Sequence, residues 1–373
     1  MILTVYTCTA CAQIVISGNE NKIDLRAGKP IVNFDAKPDS ISVMDFSQFP
    51  PRVEHILGVS NSVIGPPSNI AITPNGKVAL ISSSLILDRN AEAGYVPDNL
   101  IHVLDLTSSP PKIADQIRVG QQPSGISITP DGRSALVANR ADGTVTVMSI
   151  EGISVQSVQT VEVAEADDQI SDVAISPNGK LVLVSVQEDY CLRVLTLDRG
   201  KVSVTDRRLS VCGKPYRTAI TPDGELGMTA GFGQGAPDSD SLTIVDLTAD
   251  PIRTIDYVPI GSGPESFGVS PDGKLVAVML MNGSNVPGDD PQRTENGLLV
   301  LLARRGKTYI PVQEISVGRI TQGVAFTSDG RYLLAECHAS REIWVFRVLG
   351  ESVEDTGHRI KTPGFPSSLR AGP

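Results

Sequence analysis

The chain has 373 residues, of which 40% are hydrophobic and 20% charged, and it carries a formal charge of −10. That balance excludes a disordered chain, and it argues against nucleic-acid binding, which needs a basic surface to neutralise phosphates. With 34 glycines and 26 prolines but only 4% aromatic residues, the composition predicts many short elements joined by tight turns, hence an all-β chain.

Residues 2–12 are apolar and close in Ala10-Cys11-Ala12 ahead of Gln13. The pattern fits an export signal that lacks its basic start, or else a buried leading strand. Export would make the protein periplasmic or secreted and leave Cys191, Cys212 and Cys337; without it the location is cytoplasmic. No later stretch has the roughly 18 apolar residues of a membrane span. Residues 13–29 read as an N-terminal extension. Residues 30–34, 40–46 and 52–58 read as three successive strands.

From residue 70 onward one phrase recurs: Thr73-Pro74-Asn75-Gly76, Thr129-Pro130-Asp131-Gly132, Ser176-Pro177-Asn178-Gly179, Thr221-Pro222-Asp223-Gly224, Ser270-Pro271-Asp272-Gly273 and Thr327-Ser328-Asp329-Gly330. Proline presets φ, Asp or Asn accepts local backbone donors, and glycine permits positive φ. The phrase returns every 45 to 57 residues, the period of a propeller blade. Each copy lies between two strands, A and B, and Val/Ile/Thr-rich runs supply strands C and D, as in Thr144-Val145-Thr146-Val147-Met148. Six units are complete. The C-terminal residues 364–373 align with 65–74 and form a lone strand A, so the three N-terminal strands complete a seventh blade and close the ring. The expected fold is one seven-bladed β-propeller of four-stranded antiparallel blades over residues 30–373.

One position in strand A is small in six copies: Ala71, Ser127, Ala174, Ala219, Gly268 and Ala325. Blades crowd near the axis, so a small side chain is expected there. The seventh copy has Arg370, either in a looser terminal blade or as a cation reaching into the channel.

With Ala135-Leu136-Val137-Ala138-Asn139 followed by Gly143-Thr144-Val145-Thr146-Val147, the chain resembles the YVTN-repeat, lactonase-like seven-bladed propellers. The resemblance implies a cyclic-ester hydrolase or lactonising enzyme, or an exported binding or scaffold protein. It rests on turn and packing positions, which specify fold rather than chemistry.

The B-to-C connections at 84–99, 231–240 and 281–296 are long and fall on one face, around one mouth of the channel, where long loops on a rigid frame serve binding or catalysis. Strand-A starts bring Asn69, Asp172, Tyr216, Arg217, Glu265 and Gln322 toward that mouth, and strand-B ends bring Arg140, Glu336 and His338. Glu336 or Glu265 with His338 would transfer protons, and Arg217 and Arg140 would hold an anionic group. Tyr216, Asn69, Asp172 and Gln322 would complete the binding site, Asn69 or Gln322 orienting a carbonyl. His338 also reads as an ordinary loop histidine, and Arg217 as an ion-pair partner of Asp172 or Glu265. There is no nucleophile elbow, phosphate-binding glycine loop or paired Cys-x-x-Cys, so no cofactor is expected. The acidic groups at 238–240 and 289–290 lack calcium-loop spacing, so no metal is expected. A disulfide between Cys191 and Cys212 would sit out of strand register. The function read from the sequence is a lactonase-like hydrolase or isomerase for a small anionic cyclic ester; the alternative is a non-catalytic exported propeller holding a protein or small ligand on the same face.

Overall fold

The six repeated turns close by one set of bonds, which a computed structural model describing residues 13–233 and 238–372 makes visible. The leading Ser or Thr hydroxyl donates to the Asp or Asn oxygen two residues on, at 2.5–2.8 Å. It accepts the backbone N–H five residues on at 2.9–3.1 Å. The turn glycines sit at φ 66 to 75, where a side chain would be strained. The hydroxyl is thus as much part of the turn as Pro, Asp and Gly, which explains its persistence where Ser328 replaces proline.

These turns join strands A and B of seven four-stranded antiparallel sheets, with almost no helix. Blades 1 to 6 span residues 70–118, 123–162, 170–210, 214–261, 264–317 and 321–361. Blade 7 is built from both ends of the chain, in the order Phe365–Ala371, Ile14–Glu20, Ser40–Asp45, Arg52–Leu57. Its strand B is therefore Ile14–Glu20, not residues 30–34 as the sequence pattern suggested. A strand paired on both sides and packed on both faces must be buried, and Val15 and Ile16 are fully buried whereas Ile31 is 43% exposed. Ile14–Glu20 is consequently part of the ring and not of an extension to it. Residues 1–12, with the export reading and Cys8 and Cys11, lie outside the described residues.

The segment between the two N-terminal strands does something else. Ile23–Asp24 pairs with Ile31–Val32, and this small hairpin shares a cluster with Leu85 and Tyr95 of the 84–99 insertion and with Val63. That insertion is itself a hairpin, its strands paired as far as Leu87 with Tyr95. Arg319 donates to Arg26 O (3.0 Å), and Gly28 abuts Pro287 of the 281–296 insertion. The three segments form a cap on the loop-rich face.

Around the axis the small column does its expected work. A Cβ on Gly268 would meet Val324 O at 3.0 Å, so neighbouring A strands approach almost to backbone contact. Between blades the core is continuous aliphatic packing, as between blades 2 and 3 and between blades 4 and 5. Cys191 pairs in register with Ser210, leaving Cys212 two residues beyond it, and all three described cysteines are free.

Candidate active site in the propeller channel

The polar side chains of the channel come from one more turn of the same register. Two residues before the small column, strand A carries Asn69, Gly125, Asp172, Arg217, Ser266, Gly323 and Ser368. In blades 2 to 6 a register shift interrupts the ladder at this point. Such bulges re-aim side chains and free backbone amides.

Two glycines in this column are seats for carboxylates. A Cβ on Gly125 would lie 1.9 Å from Asp172 Oδ1, and one on Gly323 would lie 2.7 Å from Glu336 Oε2. Asp172 accepts from Val173 N (2.9 Å) and from Thr218 N of the next blade (3.0 Å). Burial pushes its pKa up to about 6, against the pull of the Thr218 amide and Arg217. Glu336 accepts from Gly323 N (2.8 Å) and from Ser17 Oγ of blade 7 (2.7 Å), and burial holds it at about 8. Its Oε1 thus ties blade 6 to blade 7, while Oε2 is held by its own blade's strand A.

Glu265 has a different setting. It is buried and its pKa is raised to about 8 by desolvation, with the Gln322 side chain as the group opposing the rise. It lies close enough to Tyr216 to hold the phenol's pKa up, after burial, while Arg140 pulls that pKa down. Tyr216 crosses the channel from blade 4: its hydroxyl accepts from Gly65 N (3.1 Å), ahead of blade 1, and its ring meets Phe232 edge-on at 5.8 Å. Arg140 donates to Ser171 Oγ (2.7 Å) and to the side-chain oxygens of Gln169 and Gln187, all neutral partners. Tyr216, Glu265, Arg140 and Gln322 therefore converge at the loop-rich end. Asn69 holds Ser82 O through Nδ2 (3.5 Å). Its Oδ1 is unpartnered, as are Ser68 Oγ, Ser124 Oγ, Ser368 Oγ and the Gln322 amide. Buried polar atoms of this kind call for a ligand or water.

Two expected residues go elsewhere. Strand B of blade 6 ends at Cys337 and His338 begins a 3-10 turn, so its ring leaves Glu336 and stacks on Phe365 of blade 7, centroids 4.8 Å apart. Its Nδ1 donates to Pro366 O (3.2 Å), and burial depresses its pKa to about 4. The proton-transfer pair of His338 with Glu336 is not formed. Arg217 donates to Ser266 Oγ (2.8 Å) and lies over the Phe267 ring. Rather than facing the loop-rich mouth, it lines a cavity of about 430 Å³ whose other walls are the A-strand ends and turns, with Arg370 beside it. Of its two sequence readings, Arg370 is the cation in the channel. The sequence signal for the carboxylate seats was present but unread: a glycine interrupting an otherwise polar column. Among the described residues, no three or more His, Cys, Asp or Glu side chains converge as a metal would require, and no helix is long and apolar enough to cross a membrane.

Solved structures share this architecture at low identity. A candidate 6-phosphogluconolactonase from Bacteroides uniformis is 16% identical with a TM-score of 0.73, covering 97% of this chain and 99% of its own. The periplasmic gluconolactonase PpgL of Pseudomonas aeruginosa is 17% identical, with a TM-score of 0.65 and coverage of 96% and 99%. A protein of unknown function from Desulfotomaculum acetoxidans is 17% identical, with a TM-score of 0.71 and coverage of 97% and 99%. No curated protein matches the chain. Residues 88–216, from the blade 1 insertion to the first strand of blade 4, match the family described as "Lactonase, 7-bladed beta-propeller", which bears out the lactonase-like resemblance carried by the repeats.

Proposed function

We propose that this propeller is a lactonase-like hydrolase that opens a small anionic cyclic ester beside Tyr216, at the loop-rich end of the channel. The carrying observation is the convergence of Glu265, Tyr216, Arg140 and Gln322 at that end, together with channel carboxyl groups set apart in pKa by their surroundings, Asp172 at about 6 and Glu265 at about 8. At neutral pH the first is ionised and the second protonated, the division of labour an acid–base pair needs. The match of residues 88–216 to a lactonase family supports the reaction class.

In this reading Arg140, whose bonded partners are neutral, attracts the anionic group of the substrate. Asp172 takes a proton from water as its oxygen attacks the ester carbonyl carbon. The tetrahedral intermediate collapses with cleavage of the ring C–O bond, and Glu265 protonates the departing alkoxide. Asp172 then gives up its proton, Glu265 is reprotonated, and the newly formed carboxylic acid ionises. The net change is lactone plus water to hydroxy-carboxylate plus one proton released. Gln322 and Asn69 supply hydrogen bonds to the carbonyl side. His338 and Glu336 have structural roles. We place the protein outside the cytoplasm, on the apolar residues 2–12; a fractionation of cells expressing the full chain tests that separately.

The test is a screen of small lactones by indicator-detected proton release. Glu265→Gln should lower kcat/KM by about 10²-fold or more, Arg140→Met should raise KM, and His338→Ala should leave kcat near wild type. Equal turnover by wild type and Glu265→Gln would overturn the mechanism. Saturable lactone binding without turnover would make the protein a receptor instead.

A further inference from the structure

The opposite end of the channel carries its own binding chemistry. Arg217 of blade 4 and Arg370 of blade 7 enter the 430 Å³ cavity from different sides of the ring. Arg370 occupies the column that is Ala, Ser or Gly in the other six blades, and the space comes from Gly268 and Ala325 in that same column. Neither guanidinium is paired with a carboxylate among the described residues. Arg217 Nη1 donates to a serine hydroxyl and its Nε has no partner, although the residue is only 6% exposed. Arg370 Nη2 donates to the backbone Ile126 O at 3.2 Å. Each sits in the other's field: burial lowers the proton affinity of Arg217 most, and Arg370 lowers it further.

Charge counting then leaves an excess. Asp172 is the carboxylate that acts on both arginines, and its oxygens already hold two backbone amides. Burial raises the pKa of Glu336, the other acidic group acting on Arg217, to about 8, which reduces the negative charge it offers at neutral pH. Two cations, Arg217 buried and Arg370 half-buried, therefore face little negative charge besides Asp172, an arrangement that is costly unless another anion enters. The remaining walls are mostly apolar, with Ile220, Val269, Val324 and Phe326, while Ser270 and Ser328 join Pro222 and Pro271 from the turns. A guanidinium pair favours a planar two-oxygen anion, and aliphatic walls favour a carbon chain behind it.

We propose that the turn end of the channel is a second binding site, for a small organic carboxylate with an apolar body, its head held by Arg217 and Arg370. It is distinct from the site beside Tyr216, and no catalytic step is assigned to it.

The experiment is calorimetric titration of the full chain with octanoate, octanamide and inorganic phosphate. Octanoate should bind at one site, with octanamide and Arg370→Ala each weakening binding by about tenfold or more, the loss expected for a charge-assisted bond. Arg370→Ala should keep the fold, because alanine occupies this position in four other blades. Arg217→Met gives a second reading from the opposite wall. The proposal is overturned if octanoate gives no saturable heat, if octanamide binds equally well, if Arg370→Ala binds octanoate unchanged, or if phosphate binds more tightly than octanoate.

Discussion

Replacing Gly125 with alanine should unseat Asp172. The added Cβ would lie 1.9 Å from Asp172 Oδ1, 2.7 Å from its Cγ and 2.8 Å from its Cα, where carbon atoms pack at about 3.5–4.0 Å. Rotating the carboxyl away relieves the first two contacts, but the third needs a backbone shift between blades 2 and 3. Rotation also breaks the bonds from Val173 N and Thr218 N, each worth about 1.5–3 kcal/mol to a charged acceptor, and overpacking itself costs about 1–3 kcal/mol. A loss of about 4 kcal/mol or more is expected. The assay is urea unfolding followed by circular dichroism, with Gly288→Ala, which meets nothing within 4 Å, as the unperturbed control. Asp172→Ser introduces the residue that Ser266 and Ser368 show the column accepts. The double variant Gly125→Ala/Asp172→Ser should therefore be more stable than additivity predicts by about 1 kcal/mol or more. A Gly125→Ala protein within 1 kcal/mol of wild type, or an additive cycle, would refute the seating of Asp172 on Gly125.

The rate of lactone opening should follow a bell in pH, rising as Asp172 ionises near 6 and falling as Glu265 ionises near 8; a flat kcat/KM profile from pH 5 to 9 refutes the assignment, and Asp172→Asn should abolish the acid limb. His338, held near 4 when folded against 6.5 for a free histidine, stays neutral in the fold while the unfolded chain takes up a proton. Wild type should thus lose stability relative to His338→Phe as pH falls from 6.5 to 4, by about 1.4 kcal/mol per pH unit, read from urea midpoints. Glu20, Glu265 and Glu336, each raised to about 8 by burial, act in the other direction. The folded protein keeps protons that the unfolded chain releases above about pH 4.5, so stability should fall as pH rises from 4.5 through 8. Glu336→Gln should make that fall shallower, and equal slopes would show that Glu336 is ionised in the fold.

The ring was legible because its information is repeated: six turns with one chemistry fix blade period, strand direction and face, and a lone strand A at the end demands partners from the start. What was misread is what does not repeat. Ile14–Glu20 carries Ser17, Gly18 and Asn19 in place of an unbroken aliphatic run, because it faces the channel and Glu336. Residues 30–34 looked like the better strand, yet Ile31–Val32 pairs only with Ile23–Asp24 and joins the cap. Direction along a side chain was also hidden. Register places Arg217 at a strand start near the loop-rich mouth, but its side chain bonds Ser266 of the next blade and lines the turn-end cavity. His338 follows the last paired residue of its strand, where alternation no longer decides which way a ring turns.

The same repetition explains why the channel can hold two different sites. Each level of the axis is a ring of seven equivalent positions, and packing needs most of them small. A buried carboxylate is seated where a neighbour gives up its Cβ, as Gly125 does for Asp172 and Gly323 for Glu336. The chemistry is therefore written in pairs, a charged residue in one blade and a glycine in the preceding strand or facing it. Arg370 follows that logic at the next level, where Gly268 and Ala325 leave the room its guanidinium occupies. Charged positions and vacated positions in adjacent copies of a repeat, compared column by column, are then the place to look for function in a propeller whose repeated residues encode only its fold.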